Sequence, residues 1–328
     1  MLNFFKSNRP YNSFLLFVYA LLLCWSVLGK PFHFVVSAGD GFGWNILMNL
    51  FSLKAGIGNL AFTVFFMSLL IIQAIMINSV SIFQRLFTRV HYITGMAFLL
   101  LSSLFVYRYS FSSSLLASTL LLFLLNKTAS LQNTSNPKAD IFNIALGFGL
   151  STAFFTPSIW FITIFMLSML ISRPFKLNEW LLMGVGLLTP YYFFISISFL
   201  SGKSIPAGTF SYLMYAPKFT FAISESIALI MLLILLAAGI VYVQSNMRRL
   251  LVQSRKTWSL LYLWLIVGTI IPFFNKDVQF SDFIFMLPPA AAFLSAFFFY
   301  QPKPWLSAVI HWVLLALSIV NGLGSVFR

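Results

Sequence analysis

Charge is what this sequence has least of. Only 8 % of its 328 residues are Asp, Glu, Lys or Arg, and the acids number six. A soluble domain carries about 25 % charged residues because its surface must face water. This chain cannot solvate a globule of its size, so soluble architectures are excluded. Cysteine is nearly absent. Cys24 is alone, which rules out an intramolecular disulfide and a thiolate cluster for zinc or iron–sulfur. The three histidines, His33, His91 and His311, are scattered and read as interface or helix-end residues. No Ser-His-Asp order, HExxH pair or phosphate-binding glycine loop occurs. The sequence leaves any cofactor unknown, and it names no metal-binding residues.

Apolar residues fill the space that charge leaves. They make up 60 % of the chain, with 40 Phe, and the mean hydropathy is +0.94. A hydrocarbon core about 30 Å thick takes about 20 apolar residues per helix. Eleven apolar segments meet that pattern: 13–29, 57–82, 91–107, 112–126, 140–155, 157–172, 179–200, 219–244, 257–274, 280–300 and 305–325. The expected fold is therefore all-α, a single polytopic transmembrane bundle over residues 1–328. Thr156-Pro157 divides two short helices from one another, since proline disfavours the helix interior and biases the residue before it away from the helical region. The first run, Ser13 to Leu28, is followed by Gly29-Lys30-Pro31 and not by a small-x-small cleavage site, so an uncleaved first helix is expected.

The formal charge of +14 comes from 20 basic residues against six acids. No basic run with interleaved aromatics tracks a nucleic-acid backbone, so nucleic acid is not an expected partner. The basic residues instead orient the chain and meet anionic membrane lipids. With the N-terminus in the cytoplasm, the inner segments hold more of them than the outer ones, as the positive-inside rule asks. The C-terminus then lies outside. Asn126 to Ala139 reads as a polar inner loop. The outer face carries two longer loops, 30–56 and 201–218, the first with helical spacing at Trp44, Leu47, Met48, Leu50 and Phe51 that suits a helix on the membrane surface.

Chemistry must come from few residues. Asp40, inside Gly39-Asp40-Gly41, reads either as an ordinary turn residue or as an exposed general base. Glu225 lies about a turn and a half inside its expected span, where charge is costly and often functional. It reads as a base, an ion ligand, a partner of Lys218 or Lys276, or a carboxylate snorkelling from a helix end. Arg108, Lys203, Lys218 and Lys276 share the outer face with Asp282, and they read as substrate-binding groups for a phosphate-bearing lipid or as interface anchors.

Two resemblances follow from particular segments. Arg173 to Phe193, RPFKLNEWLLMGVGLLTPYYF, with Phe142 to Leu167 before it, resembles the signature of an uncharacterised family of polytopic inner-membrane proteins of the Bacteroidota. That resemblance implies a multi-pass protein of a bacterial inner membrane. The order of parts is also similar to GT-C membrane glycosyltransferases. Asp40 stands where those enzymes place an acid in their first outer loop, and Asp282 to Leu294, DFIFMLPPAAAFL, looks like their proline-rich helix near the membrane surface. The likeness implies a transferase using a polyprenyl-phosphate lipid, with Asp40 as base. The chain departs from that pattern in lacking a large outer loop and a visible metal site. Two other functions fit the sequence: a non-catalytic subunit packed against other envelope membrane proteins, and a transporter or flippase with Glu225 as coupling group.

Overall fold

Apolar segments that cannot hydrogen-bond to water must satisfy their backbone internally, and the helix does so within one segment. The computed structural model describes residues 2–6, 12–23, 37–52, 59–108, 111–131, 137–172, 175–200, 219, 221–275 and 278–326, and among these it is helical with no strand. The helices are α1 (Leu2–Phe5), α2 (Asn12–Leu23), α3 (Phe42–Ser52), α4 (Asn59–Phe83), α5 (Ile93–Leu104), α6 (Ser113–Ser130) and α7 (Lys138–Phe154). They continue as α8 (Ile162–Ser172), α9 (Leu177–Leu200), α10 (Ile223–Asn246), α11 (Val252–Ile270), α12 (Leu287–Tyr300) and α13 (Pro304–Val326). Tighter 3₁₀ turns precede α8 (Thr156–Phe161) and α12 (Phe280–Met286), and follow α11 (Ile271–Phe274).

Each of the eleven apolar segments thus contains a helix. Six stretches are long and apolar enough to cross a membrane: Thr63–Phe83, Leu177–Leu200, Ile223–Arg249, Val252–Phe274, Phe280–Tyr300 and Pro304–Gly322. They mark the chain as a membrane protein. Their outward faces agree, since α9 exposes Leu181, Leu188 and Tyr192 and α13 exposes Trp305 and Trp312. Such faces suit lipid.

At the centre α5 is buried at every one of its twelve residues, between α4, α12 and α13. At 1.5 Å per residue it is about 18 Å long, so protein surrounds a helix too short to span the hydrocarbon by itself. Its few polar atoms are shared with neighbours. Thr94 Oγ1 lies 3.2 Å from both Ser81 Oγ of α4 and Ser295 Oγ of α12. Asn321 of α13 donates to Leu104 O at 3.1 Å, and Gln73 of α4 donates to Thr119 Oγ1 of α6 at 2.6 Å. Hydroxyls and amides in lipid-excluded interfaces act as cross-helix ties.

Two sequence expectations change here, and a third holds. Asn126 to Ala139 is not wholly a loop, because α6 runs on to Ser130. Thr128 and Ala129 are buried, and the Thr128 hydroxyl returns to Leu124 O, so tertiary packing outweighs the polar composition. The surface helix exists as α3, but Trp44 is 1 % exposed and packs on the Phe111 ring at 5.4 Å, so at that position it is turned into protein. The break at Thr156-Pro157 is real, with Phe155 extended between α7 and the 3₁₀ turn. The loop 201–218 and residues 24–36 lie outside the described residues.

Helices α10 and α12 approach closely at Gly239, where an added Cβ would sit 2.2 Å from Phe293 O. Gly239→Ala should therefore lower the unfolding temperature in detergent, by an overpacking cost of about 1–3 kcal/mol. Gly184→Ala on α9, where a Cβ meets nothing within 4 Å, should leave it unchanged or raise it. Equal effects in the two variants would contradict the α10–α12 packing.

Candidate functional site

The site begins with a turn. Asp40 N–H donates to Ser37 O at 3.0 Å, and Ser37 N–H returns a hydrogen bond to Asp40 Oδ2 at 2.8 Å. The turn is then docked onto the break after α7. Gly41 N–H donates to Phe154 O at 2.8 Å, and Thr156 N–H donates to Gly39 O at 2.9 Å. Only glycine permits this approach at position 41, since a Cβ there would lie 2.2 Å from Ala153 O. The Gly-Asp-Gly sequence is a turn, as composition suggests, and it is also a bolt that fastens the segment following α2 to the middle of the chain.

Asp40 faces a polar cluster drawn from distant segments. Ser113, at the start of α6, donates to Asp40 Oδ1 at 2.5 Å. Its neighbour Ser114 donates to Ser281 O at 3.2 Å, in the 3₁₀ turn that carries Asp282. The two hydrogens of the Asn275 amide go to Ser37 Oγ at 2.7 Å and to Asp282 Oδ2 at 2.8 Å. Gln279 N–H also reaches Asp282 Oδ2, at 3.3 Å. Asp40 is 9 % exposed, and Asp282 and Asn275 are each 1 % exposed. The two carboxylates are near enough for the charge of Asp40 to act on Asp282. Two acids from opposite ends of the chain thus share one buried centre, with Asn275 and Ser37 between them.

Burial raises the pKa of the Asp40 carboxyl above the usual range, while the Ser113 hydroxyl and the Ser37 amide work in the opposite direction. A carboxylate made more basic by desolvation and held by donors is suited to receive a proton. The amide oxygen of Asn275 and the Ser281 hydroxyl are buried without a partner among the described residues. Asp40, Asp282 and the Asn275 oxygen are the atoms here that could ligate a hard cation. No three His, Cys, Asp or Glu residues gather among the described residues.

A second pair sits beside this centre. Arg108 donates to Glu225 Oε2 at 2.5 Å, and Glu225 also accepts the Ala222 N–H at 2.9 Å. Glu225 is buried in the first turn of α10, not a turn and a half inside a span. Its partner here is Arg108, and its second contact caps the start of its own helix. Arg108 in turn spends part of its charge on that pair. Its guanidinium lies over the rings of Phe221 (5.1 Å) and Phe280 (5.8 Å). Phe105, Phe221, Leu232, Phe280, Phe283 and Met286 line an apolar pocket of about 200 Å³ next to it. Lys203, Lys218 and Lys276 lie outside the described residues.

Ser113 and Asn275 were not singled out by the sequence. The Ser112-Ser113-Ser114 run at a helix start and the lone amide after Phe274 are its only signals, and both are ordinary in composition. Compared with known protein families, curated proteins and solved structures, the chain matches none.

Asparagine can replace Asp40 without losing either contact, its oxygen accepting from Ser37 N–H and its amide donating to Ser113 Oγ. The sign of the stability effect follows from the raised pKa. Below the ordinary carboxylate value of about 3.9 both side chains are neutral. As pH rises through the raised pKa, the native protein acquires a buried charge and loses stability, whereas Asp40→Asn does not. The unfolding temperature of the variant, relative to the native protein, should thus increase as pH is raised from about 3.9, the ordinary carboxylate value, towards neutrality. A difference that shrinks over that range would show that the charged form of Asp40 is the one the fold favours.

Proposed function

We propose that the chain is a membrane transferase acting at its Asp40 end on a polyprenyl-phosphate-linked substrate, with a GT-C-like layout. The observation that carries the reading is the buried meeting of Asp40 and Asp282 through Asn275 and Ser37, beside an apolar pocket rimmed by Arg108. One acid is held by hydroxyl and amide donors and made more basic by burial. The pocket beside it has the character to take an isoprenoid segment, being lined by phenylalanine and aliphatic side chains. In this reading Asp40 is the base. An acceptor hydroxyl attacks the group bonded to the lipid phosphate, that carbon–oxygen bond breaks with its electron pair leaving on the phosphate, and the acceptor proton passes to Asp40. Asp282 and Asn275 hold the centre in register. Since Arg108 is paired with Glu225, the phosphate charge falls chiefly to Lys203, Lys218 and Lys276.

The proposal includes a topology: eleven crossings of a bacterial inner membrane, N-terminus inside, in a family of the Bacteroidota. Contacts between helix ends support the alternation. Residues near Asp40, Ser113, Phe155, Asn275 and Asp282 gather at one end. Gln84 meets Asn126 and Gln253 at the other, and Tyr242 meets Gln301 there. An up-and-down chain places its segments in this way. The pairing of Glu225 weighs against its use as a transporter's coupling group.

Native mass spectrometry after mild-detergent purification tests the lipid. Retention of a polyprenyl-phosphate species is expected. In cells, Asp40→Asn should fold and keep that lipid while its lipid-linked substrate accumulates, a loss of transfer on the order of 100-fold or more if a positioned general base has been removed. A variant that supports normal growth and shows no accumulation would remove Asp40 from catalysis. A stoichiometric protein partner, with no lipid bound, would instead identify a structural subunit.

A further inference from the structure

The end of the bundle away from Asp40 carries a second polar site, and its charge is opposite. Chain turns sharply after α4 at Gln84 to Val90, and Arg85 adopts φ +49°, alone among described non-glycine residues. A side chain in that region of the Ramachandran map is strained and is held there by its surroundings. The surroundings are visible. Ser254 near the start of α11 lies 3.2 Å from Gln84 O and 2.7 Å from Arg85 O. Trp258 Nε1 donates to Leu86 O at 3.2 Å, and Gln253 Nε2 donates to Gln84 Oε1 at 2.8 Å. The backbone of the turn is thereby fastened to α11.

The turn also borders a cleft of about 620 Å³, whose lining includes Arg85, Thr88, Arg89, His91 and Arg249. No acid lines it, and among the described residues the one ion pair is the distant Arg108–Glu225. His91 is 2 % exposed. Its Nδ1 accepts the Ile93 N–H at 3.3 Å, so a neutral imidazole carries its proton on Nε2, and that nitrogen has no partner. Three guanidiniums without an acidic partner among the described residues, lining one cleft, form a donor set for an oxyanion.

We propose that this cleft is a binding site for a phosphate-bearing anion, gripped by Arg85, Arg89 and Arg249. The phosphate comes either from an anionic lipid headgroup or from a soluble phosphorylated compound. Topological charge bias explains why arginines occur at one end of a bundle. It does not require three of them to share a cavity of small-molecule size.

The experiment uses the full chain in two forms. Detergent-solubilised protein is titrated with inorganic pyrophosphate and followed by unfolding temperature. Nanodiscs of phosphatidylcholine, with or without phosphatidylglycerol, are examined by native mass spectrometry for retained lipid. The double variant Arg89→Gln/Arg249→Gln leaves the strained Arg85 turn untouched. Arg248→Gln/Arg255→Gln removes the same charge from exposed residues that do not line the cleft. Expected is a rise in unfolding temperature with pyrophosphate, retention of phosphatidylglycerol, or both. Either should weaken by about tenfold or more per arginine in the first variant and little in the second. A pyrophosphate response alone identifies a soluble ligand, and lipid retention alone identifies a headgroup. No response to either probe, or equal losses in both variants, overturns the proposal.

Discussion

Two backbone hydrogen bonds, from Gly41 N–H to Phe154 O and from Thr156 N–H to Gly39 O, hold together the part of this molecule that can do chemistry. The helix break at Phe155 frees backbone groups in a bundle interior, where each unsatisfied one costs several kcal/mol. The Gly39–Gly41 turn supplies the missing partners, and it can do so only because position 41 has no side chain. Once the turn is seated, Asp40 has no choice of neighbours. Ser113 meets one oxygen and Ser37 N–H the other, and Asn275 then ties Ser37 to Asp282. Breaking the bolt would release an acid from its donors as well as two peptide groups.

The scarcity of charge makes the sorting of acids informative. Glu225 is neutralised by Arg108 and spends its remaining capacity on its own helix start. Asp40 and Asp282 receive hydroxyl and amide hydrogens in place of a cation. A buried ion pair costs desolvation but closes its own account electrostatically. Two facing carboxylates with neutral donors do not, and they persist where the fold over-determines them. That contrast is why the Asp40 centre, and not the deeper-seeming Glu225, carries the functional reading.

How much of this was legible depended on the range of the signal. Apolar runs specify helices locally, because lipid leaves the backbone no other partner, and every run from 57–82 to 305–325 contains a helix. Pro157 marked its break through sterics between adjacent residues. Errors arose where a local signal met a tertiary one. Asn-Lys-Thr-Ala-Ser reads as a loop, yet packing carries α6 to Ser130; Trp44 reads as membrane-facing, yet Phe111 covers it. Asp40 and Asp282 were both visible as rare acids. Their meeting was not, since it passes through Asn275 and Ser113, whose residue types are unremarkable and whose importance lies in contacts spanning 238 and 73 residues.

The two polar ends, considered together, constrain what the apolar middle is for. Acids with neutral donors close one end, and unneutralised arginines open the other. Between them α5 is buried throughout, and hydroxyl and amide ties join it to α4, α12 and α13. Such ties are directional and short, so they fix the relative height of helices more firmly than apolar packing does. Gly239 adds a backbone-to-backbone approach that a single methyl would disrupt. A rigid centre of this kind keeps each site's geometry independent of the other. Any motion that rocked these helices past one another would have to break the Thr94, Gln73 and Asn321 ties, in a lipid-excluded interior where an unsatisfied polar group is costly.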